Sequence, residues 1–156
     1  MSQSDIKSTP LPLHMVMSKH EITVPTNGRE MIDITRLLQN WINHVGAKDG
    51  MLMAFIRHTS ASLTIQENAD PDVQFDLLDA LDTLAPEHAP YRHTSEGKDD
   101  MPAHIKSALT ATSLNVPVDN GQLGLGVWQG IFVIEHRTAS HQRKLSLHFI
   151  GELDAG

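Results

Sequence analysis

The chain contains no cysteine. That excludes a disulfide framework, a zinc ribbon and a thiol nucleophile, and leaves His, Asp and Glu as the side chains from which a metal site can be built. Basic residues are scarce beside acidic ones, 12 against 19, for a formal charge of −7. This balance argues against a nucleic-acid partner, whose recognition is usually marked by a basic patch. Long apolar runs are missing as well. No stretch approaches the roughly 20 apolar residues of a membrane span, and the opening MSQSDIKSTPLPLH lacks a signal-peptide core. The expectation is a cytoplasmic protein with no membrane partner.

What is present is ordinary in bulk and unusual in one respect. An apolar fraction of 40% with 20% charged residues belongs to a globular protein, and 156 residues suffice for one domain with one core. Residues 1–12, polar with two prolines, read as a flexible N-terminal arm, and residues 13–156 as the single domain. The unusual feature is ten histidines, which hint at metal or acid-base chemistry.

Taken in order, Leu13 to Val24 reads as an opening strand closed by Pro25, Asn27 and Gly28. Ile34, Leu37, Leu38, Trp41, Ile42 and Val45 form one apolar stripe, so a helix is predicted there, with Asp33 or Thr35 as cap and Gly46 as stop. The continuous run Gly50 to Ile56 predicts a strand covered on both faces. A second β-prone piece, Ser62 to Gln66, leads to Asp70-Pro71, a strong helix start. In that helix Val73, Leu77, Leu81 and Leu84 should be buried, with Asp79 and Asp82 in solvent. Another proline-started helix is expected from Pro102 to Thr110, with Asp100 as its cap.

The rest reads as β-structure. Leu114 to Val118 and Gln122 to Leu125 flank the hairpin signal Asp119-Asn120-Gly121, Gly126 to Gly130 is a compact connection, and Ile131 to Arg137 should pair with Lys144 to Ile150. Helices early and antiparallel strands late predict an α+β fold whose core is a two-sheet β-sandwich.

Polar residues gather in four places: 57–60, 67–76, 91–104 and 135–137. The densest is Tyr91 to Lys106, YRHTSEGKDDMPAHIK. His93 in its loop and His104 at a helix entrance, each able to converge with His58 at a strand end, are the metal candidates, although no tight motif such as HExxH is present. His58 suits acid-base work because an unperturbed imidazole titrates near neutral pH. Ser60 beside His58 makes no triad, since neighbouring strand residues point to opposite faces.

These pieces together resemble the YjbQ-like proteins, also called secondary thiamine-phosphate synthase enzymes. The resemblance is carried by His58-Thr59-Ser60-Ala61, by IQENADPDV from Ile65 to Val73, by Tyr91-Arg92-His93 through Glu96-Gly97 to MPAHIK, and by SLNVPVDNGQLGLGVWQGI from Ser113 to Ile131. One departure is Val127, where such proteins usually carry Thr before Trp-Gln.

The resemblance implies a compact homotrimer that joins a hydroxymethylpyrimidine diphosphate to a thiazole phosphate and releases pyrophosphate, as a secondary activity. Set on this chain, catalysis falls to His58, Glu67, Asp76, Glu96, Trp128, Gln129 and Glu135. His93 and His104 with a carboxylate would hold a divalent ion, magnesium or zinc, and Arg92, Lys98 and Arg137 would meet the phosphates of a small substrate. No organic cofactor is expected. The alternatives are a metal-dependent hydrolase of a small phosphorylated metabolite, using the same cluster, and a non-enzymatic trimeric binding protein.

Overall fold

Apolar-polar alternation over long strands builds the larger of two antiparallel sheets. The computed structural model describes Ser8, Pro10, Leu11 and residues 14–155. Most of the expected N-terminal arm, and Leu13, lie outside the described residues. The first strand, β1 (Val16–Asn27), begins after the expected Leu13 and continues past Val24. It runs through Pro25 because it is an edge strand, hydrogen-bonded to one neighbour alone, so a missing N–H is tolerated.

A short strand that the sequence pattern did not reveal, β2 (Glu30–Asp33), leads into α1 (Thr35–His44). Leu38, Trp41 and Ile42 of α1 are buried, whereas Leu37 stands 44% exposed, so the apolar stripe is narrower than its periodicity implies. Asp33 Oδ1 accepts from the Thr35 N–H at 2.9 Å, and Gly46, at φ +69°, stops the helix.

Next come β3 (Ala47–Ile56) and β4 (Ala61–Glu67). The expectation that β3 is covered on both faces fails. Leu52, Ala54 and Ile56 point into the core, while Met51 and Phe55 are 52% and 41% exposed. An antiparallel sheet packs one face and leaves the other open.

After the helices α2 (Pro71–Leu84) and α3 (Asp100–Leu109) the chain forms β5 (Ser113–Asp119), β6 (Gln122–Leu123), β7 (Gln129–Glu135) and β8 (Ser140–Leu153). The β5–β6 turn places Asn120 and Gly121 at φ 48° and 78°, the left-handed pair that a two-residue hairpin demands. The larger sheet has the order β1-β8-β3-β5-β6 and the smaller one β2-β7-β4. The expected pairing of β7 with β8 is therefore wrong. The two strands lie in different sheets, because the short link 136–139 carries the chain across the sandwich and β8 inserts between β1 and β3.

The core lies between the sheets: Leu145, Leu147, Phe149, Leu52 and Val116 from the large sheet meet Leu63, Ile131 and Val133 from the small one, with α1 sealing one side. The opposite face of the small sheet is buried too. There the Ser62 hydroxyl lies 2.8 Å from His136 Nε2 and 2.6 Å from Thr110 Oγ1, which brings the end of α3 over that face.

Helix α2 starts as its sequence dictates, with the Asp70 carboxylate accepting from the Asp72 N–H and Pro71 at the first helical position. Its expected apolar stripe is not a core stripe: none of its residues is buried, and Phe75 and Leu84 are largely exposed. Nor is Asp82 a solvated surface acid. It receives the buried Lys106 of α3 and Arg29 ahead of β2, pinning α2 by charge where apolar packing is thin. Helix α3 begins at Asp100, two residues before the expected Pro102. The proline sits in the first turn, where its missing N–H would have had no helical partner.

One close approach is demanding. Gly50 and Gly151 face each other where the β3–β8 register shifts, and a Cβ on Gly151 would lie 2.2 Å from the Asp49 carbonyl oxygen and 2.7 Å from Gly50 Cα. Backbone cannot yield as a side chain can, so Gly151→Ala is expected to cost about 3 kcal/mol. A urea titration that gives wild-type stability for this variant would contradict the placement.

Candidate metal centre

The amino end of α3 and the loop before it deliver three ligand-type side chains to one point. Asp100 and His104 are four residues apart on α3, so they share a face. His93 reaches the same place from the loop. His93 Nε2 lies 2.6 Å and His104 Nε2 3.1 Å from one and the same oxygen, Asp100 Oδ2. The donor atoms of the three all lie within 4.8 Å of one another, near the roughly 3 to 4 Å that separates two ligands on one ion with bonds of about 2 Å. The imidazole rings are tilted by 52° with centroids 5.5 Å apart.

Hydrogen bonding places a proton on Nδ1 of His104. Its Nδ1 lies 2.9 Å from the Thr59 carbonyl oxygen, which can only accept, so Nδ1 carries the proton. In the neutral ring the Nε2 lone pair then faces the Asp100 carboxylate. Two acceptors repel at that distance unless a proton or a cation lies between them. A carbonyl holding Nδ1–H while Nε2 is offered inward is the arrangement usual for metal-binding histidine.

Asp100 was expected to be a cap. Instead its side chain is 2% exposed, with Oδ2 on the histidines and Oδ1 held by Arg137 Nη1 at 2.6 Å. Burial alone would raise its pKa, but the hydrogen bond from His93 and the charges of His104 and Arg137 outweigh it and keep the carboxyl below its ordinary range. Arg137 also donates through Nε to Asp99 Oδ2 at 3.0 Å and through Nη2 to the Glu96 carbonyl at 2.9 Å.

The remaining predicted residues divide into two groups. Near the centre, His58 accepts the Lys144 N–H on Nε2 at 2.7 Å, and it borders a cleft of about 310 Å³ shared with Thr59, His104, Ser107, Ala108 and Thr112. Burial and then the charge of Arg143 lower its pKa, so it is neutral at pH 7 with its proton on Nδ1. Glu96, Arg92 and Lys98 are exposed on the 91–99 loop, and Lys98 pairs with Glu87 at 3.4 Å.

Glu135 is completely buried and pairs with Arg143, whose Nε lies 2.6 Å from Oε2. Thr26 Oγ1 at 2.7 Å and the Arg137 N–H at 2.9 Å fill the rest of its acceptor capacity. The carboxylate is thus fully engaged in the fold.

The second group sits elsewhere. Glu67 lies opposite Gln129 in the β4–β7 ladder, whereas Glu135 lies opposite Ala61. Six residue steps of about 3.4 Å part these ends by about 20 Å. Glu67 Oε2 accepts the Ala69 and Asp70 N–H groups at the entrance to α2, and Gln129 Oε1 accepts the Gly126 N–H. Trp128 is 62% exposed, and Asp76 is exposed on α2. Within one chain Glu67, Trp128 and Gln129 do not join the histidine cluster.

Sequence reasoning passed over Asp100 as a ligand, although the Asp-x-x-x-His spacing from Asp100 to His104 becomes visible once the helix is started at Asp100. It had no signal for the Thr59 carbonyl or for Asp99.

The UPF0047 protein YjbQ-like family model matches residues 20–152. The chain belongs to the YjbQ-like family. A UPF0047 protein of Synechocystis is 50% identical over 133 residues, covering 85% of this chain and 90% of its own length. The UPF0047 protein YugU of Bacillus subtilis is 44% identical over 111 residues, 70% of this chain and 82% of its own. Among solved structures, a YjbQ family protein of Clostridium acetobutylicum superposes with a TM-score of 0.75 at 36% identity, over 85% of this chain and 98% of its own. A Sulfolobus solfataricus protein of unknown function gives 0.83 at 24% identity, over 89% and 100%, and shares the YjbQ-like fold. Among the described residues no helix is long and apolar enough to cross a membrane.

Asp99 supplies a pH test of this region. Burial raises its pKa, but the N–H of Thr138 and the guanidinium of Arg137 overcome that and hold it at about 2 against an ordinary 3.8. A depressed carboxylate stabilises the fold above its unfolded pKa and loses that contribution as pH falls through the folded one. Asp99→Asn is therefore expected to cost on the order of 2 kcal/mol at pH 7, with the gap to wild type closing between about pH 4 and pH 2. Urea unfolding across that range checks it; a gap independent of pH would contradict the assignment.

Proposed function

We propose that the chain is a divalent-metal enzyme acting on a small phosphorylated metabolite, with the ion held by His93, Asp100 and His104. The observation that carries this reading is the convergence of His93 Nε2 and His104 Nε2 on one oxygen of the buried Asp100 carboxylate, with His104 Nδ1–H held by the Thr59 carbonyl. Two imidazole nitrogens and one carboxylate oxygen suit zinc or a similar borderline ion better than magnesium, which favours oxygen ligands. Three protein ligands also leave a coordination position for water or substrate. A bound ion would supply Lewis-acid polarisation of a phosphoryl oxygen.

The chain's own side chains fit that use. Arg92 and Lys98 bring positive charge on the loop that carries His93, within reach of phosphate oxygens. His58, neutral and with its proton on Nδ1, offers a hydrogen-bond donor beside the cleft instead of a general base. The donor set favours hydrolysis of a phosphate ester. The resemblance to secondary thiamine-phosphate synthases supports a second reading, in which a hydroxymethylpyrimidine diphosphate and a thiazole phosphate are joined with release of pyrophosphate.

Metal analysis of protein purified without a His tag should find about one zinc per chain, and His93→Ala or His104→Ala should lose it together with phosphate release from an ester panel. Formation of thiamine phosphate from the two precursors, measured in the same samples, separates the readings. Full activity in metal-free wild type would sink the metal role.

A homotrimer is part of the proposal. On the open face of the large sheet Met17, Ile150 and Met51 stand side by side across β1, β8 and β3, with Phe55 further along, all exposed in the single chain. Such a patch needs a partner surface. Light scattering should give three times the 17.2 kDa chain mass, and Met51→Lys should give a smaller species. A monomeric wild type at micromolar concentration would refute it.

A further inference from the structure

We infer that Arg137 is a positioning residue for the centre at His93, Asp100 and His104: its guanidinium, anchored by Asp99, turns the Asp100 carboxylate so that only Oδ2 faces the histidines. The inference rests on the metal reading above and assigns a role to two residues outside the ligand set.

Each edge of the guanidinium is occupied. Nη1 holds Asp100 Oδ1 at 2.6 Å, Nε holds Asp99 Oδ2 at 3.0 Å, and Nη2 holds the Glu96 carbonyl at 2.9 Å. Asp99 Oδ2 in turn accepts the Thr138 N–H at 3.0 Å and Thr138 Oγ1 at 3.1 Å, so the anchor is itself fixed to the segment that carries Arg137. The Arg137 N–H is held by the buried Glu135 carboxylate at 2.9 Å. A guanidinium with this many fixed contacts, on a side chain only 18% exposed, has no free fork for a phosphate.

The consequence for Asp100 is geometric. A free carboxylate can bind an ion through both oxygens or turn away from it. With Oδ1 tied to Arg137, Asp100 binds through Oδ2 alone, and Oδ2 is the atom on which both imidazoles converge.

The charges fit as well. A cationic guanidinium one carboxylate away from a dication is unfavourable unless its charge is offset, and Asp99 offsets it. The adjacent aspartates have separate tasks: Asp100 binds, and Asp99 neutralises and anchors the group that orients it. A lysine at position 137 would keep the charge but could not bridge two carboxylates and a carbonyl with a rigid fork.

The test is metal binding to the full chain, with zinc followed by calorimetry and cobalt(II) by its visible spectrum, alongside urea midpoints for stability. Wild type should bind one ion. Arg137→Met is expected to bind zinc 10- to 100-fold more weakly and to shift the cobalt spectrum, with Arg137→Lys in between. Asp99→Ala, which leaves the guanidinium in place but unanchored, should weaken zinc binding by a smaller factor, and it carries the test if Arg137→Met does not fold. Lower urea midpoints with wild-type zinc affinity and an unchanged cobalt spectrum would make the clamp merely structural and overturn the inference. Absence of zinc and cobalt binding by wild type would instead overturn the metal reading, and the inference with it.

Discussion

The buried pair of Glu135 and Arg143 is the contact on which the site depends. Glu135 ends β7 in the small sheet and Arg143 lies on β8 in the large one, so the pair ties the two layers together at the end where the site is built. Two charges taken out of water cost several kcal/mol each, and their attraction repays that only when the geometry is good and further hydrogen bonds satisfy the buried lone pairs and protons. Thr26 and the Arg137 N–H complete the carboxylate, and the carbonyl and hydroxyl of Ser60 hold Nη2 of the guanidinium. Every contact comes from an element that must turn or cross at this rim, so the pair fixes several chain directions at once.

From that pair the order of the site follows by short steps. Glu135 holds the backbone of Arg137, the side chain of Arg137 holds Asp100, and Asp100 faces the two histidines. A second route enters from Thr59, whose carbonyl accepts the Nδ1–H of His104 and fixes the ring's direction. Rigid strands at the rim thus position a loop and a helix start that carry few apolar contacts of their own. The alternative, a loop held by its own packing, is unavailable to Tyr91 to Asp99, which has almost no hydrophobic side chains.

Much of the fold was legible because it depends on local signals. Asp70-Pro71 starts a helix, Asn120-Gly121 closes a hairpin, and the stripe from Ile34 to Val45 marks α1. What failed depends on tertiary choice. β7 and β8 look like a hairpin in sequence, yet a four-residue link serves equally to change sheets, and periodicity cannot tell the two apart. The continuous apolar run of β3 suggested cover on both faces, but the single chain covers one. At the site, His93 and His104 stood out by type and position. Asp100 did not, because a carboxylate at a helix start has a sufficient local explanation as a cap, and only the approach of His93, 7 residues upstream, removes it.

The far end of the β4–β7 ladder bears on Val127, where the resemblance leads one to expect a threonine; a hydroxyl there would matter if it held a ligand or packed in the core. Its side chain does neither within this chain: the residue is 80% exposed, and the turn is held through its backbone, with Asn68 Nδ2 donating to the carbonyls of Val127 and Gln129 at 3.3 Å. Gln129 Oε1 closes the same turn on the Gly126 N–H. The loop geometry is therefore set by Asn68 and Gln129, and it is indifferent to a methyl or a hydroxyl at position 127. What the turn presents outward is Trp128, an exposed aromatic on a braced backbone, at the end of the β4–β7 ladder opposite to Glu135.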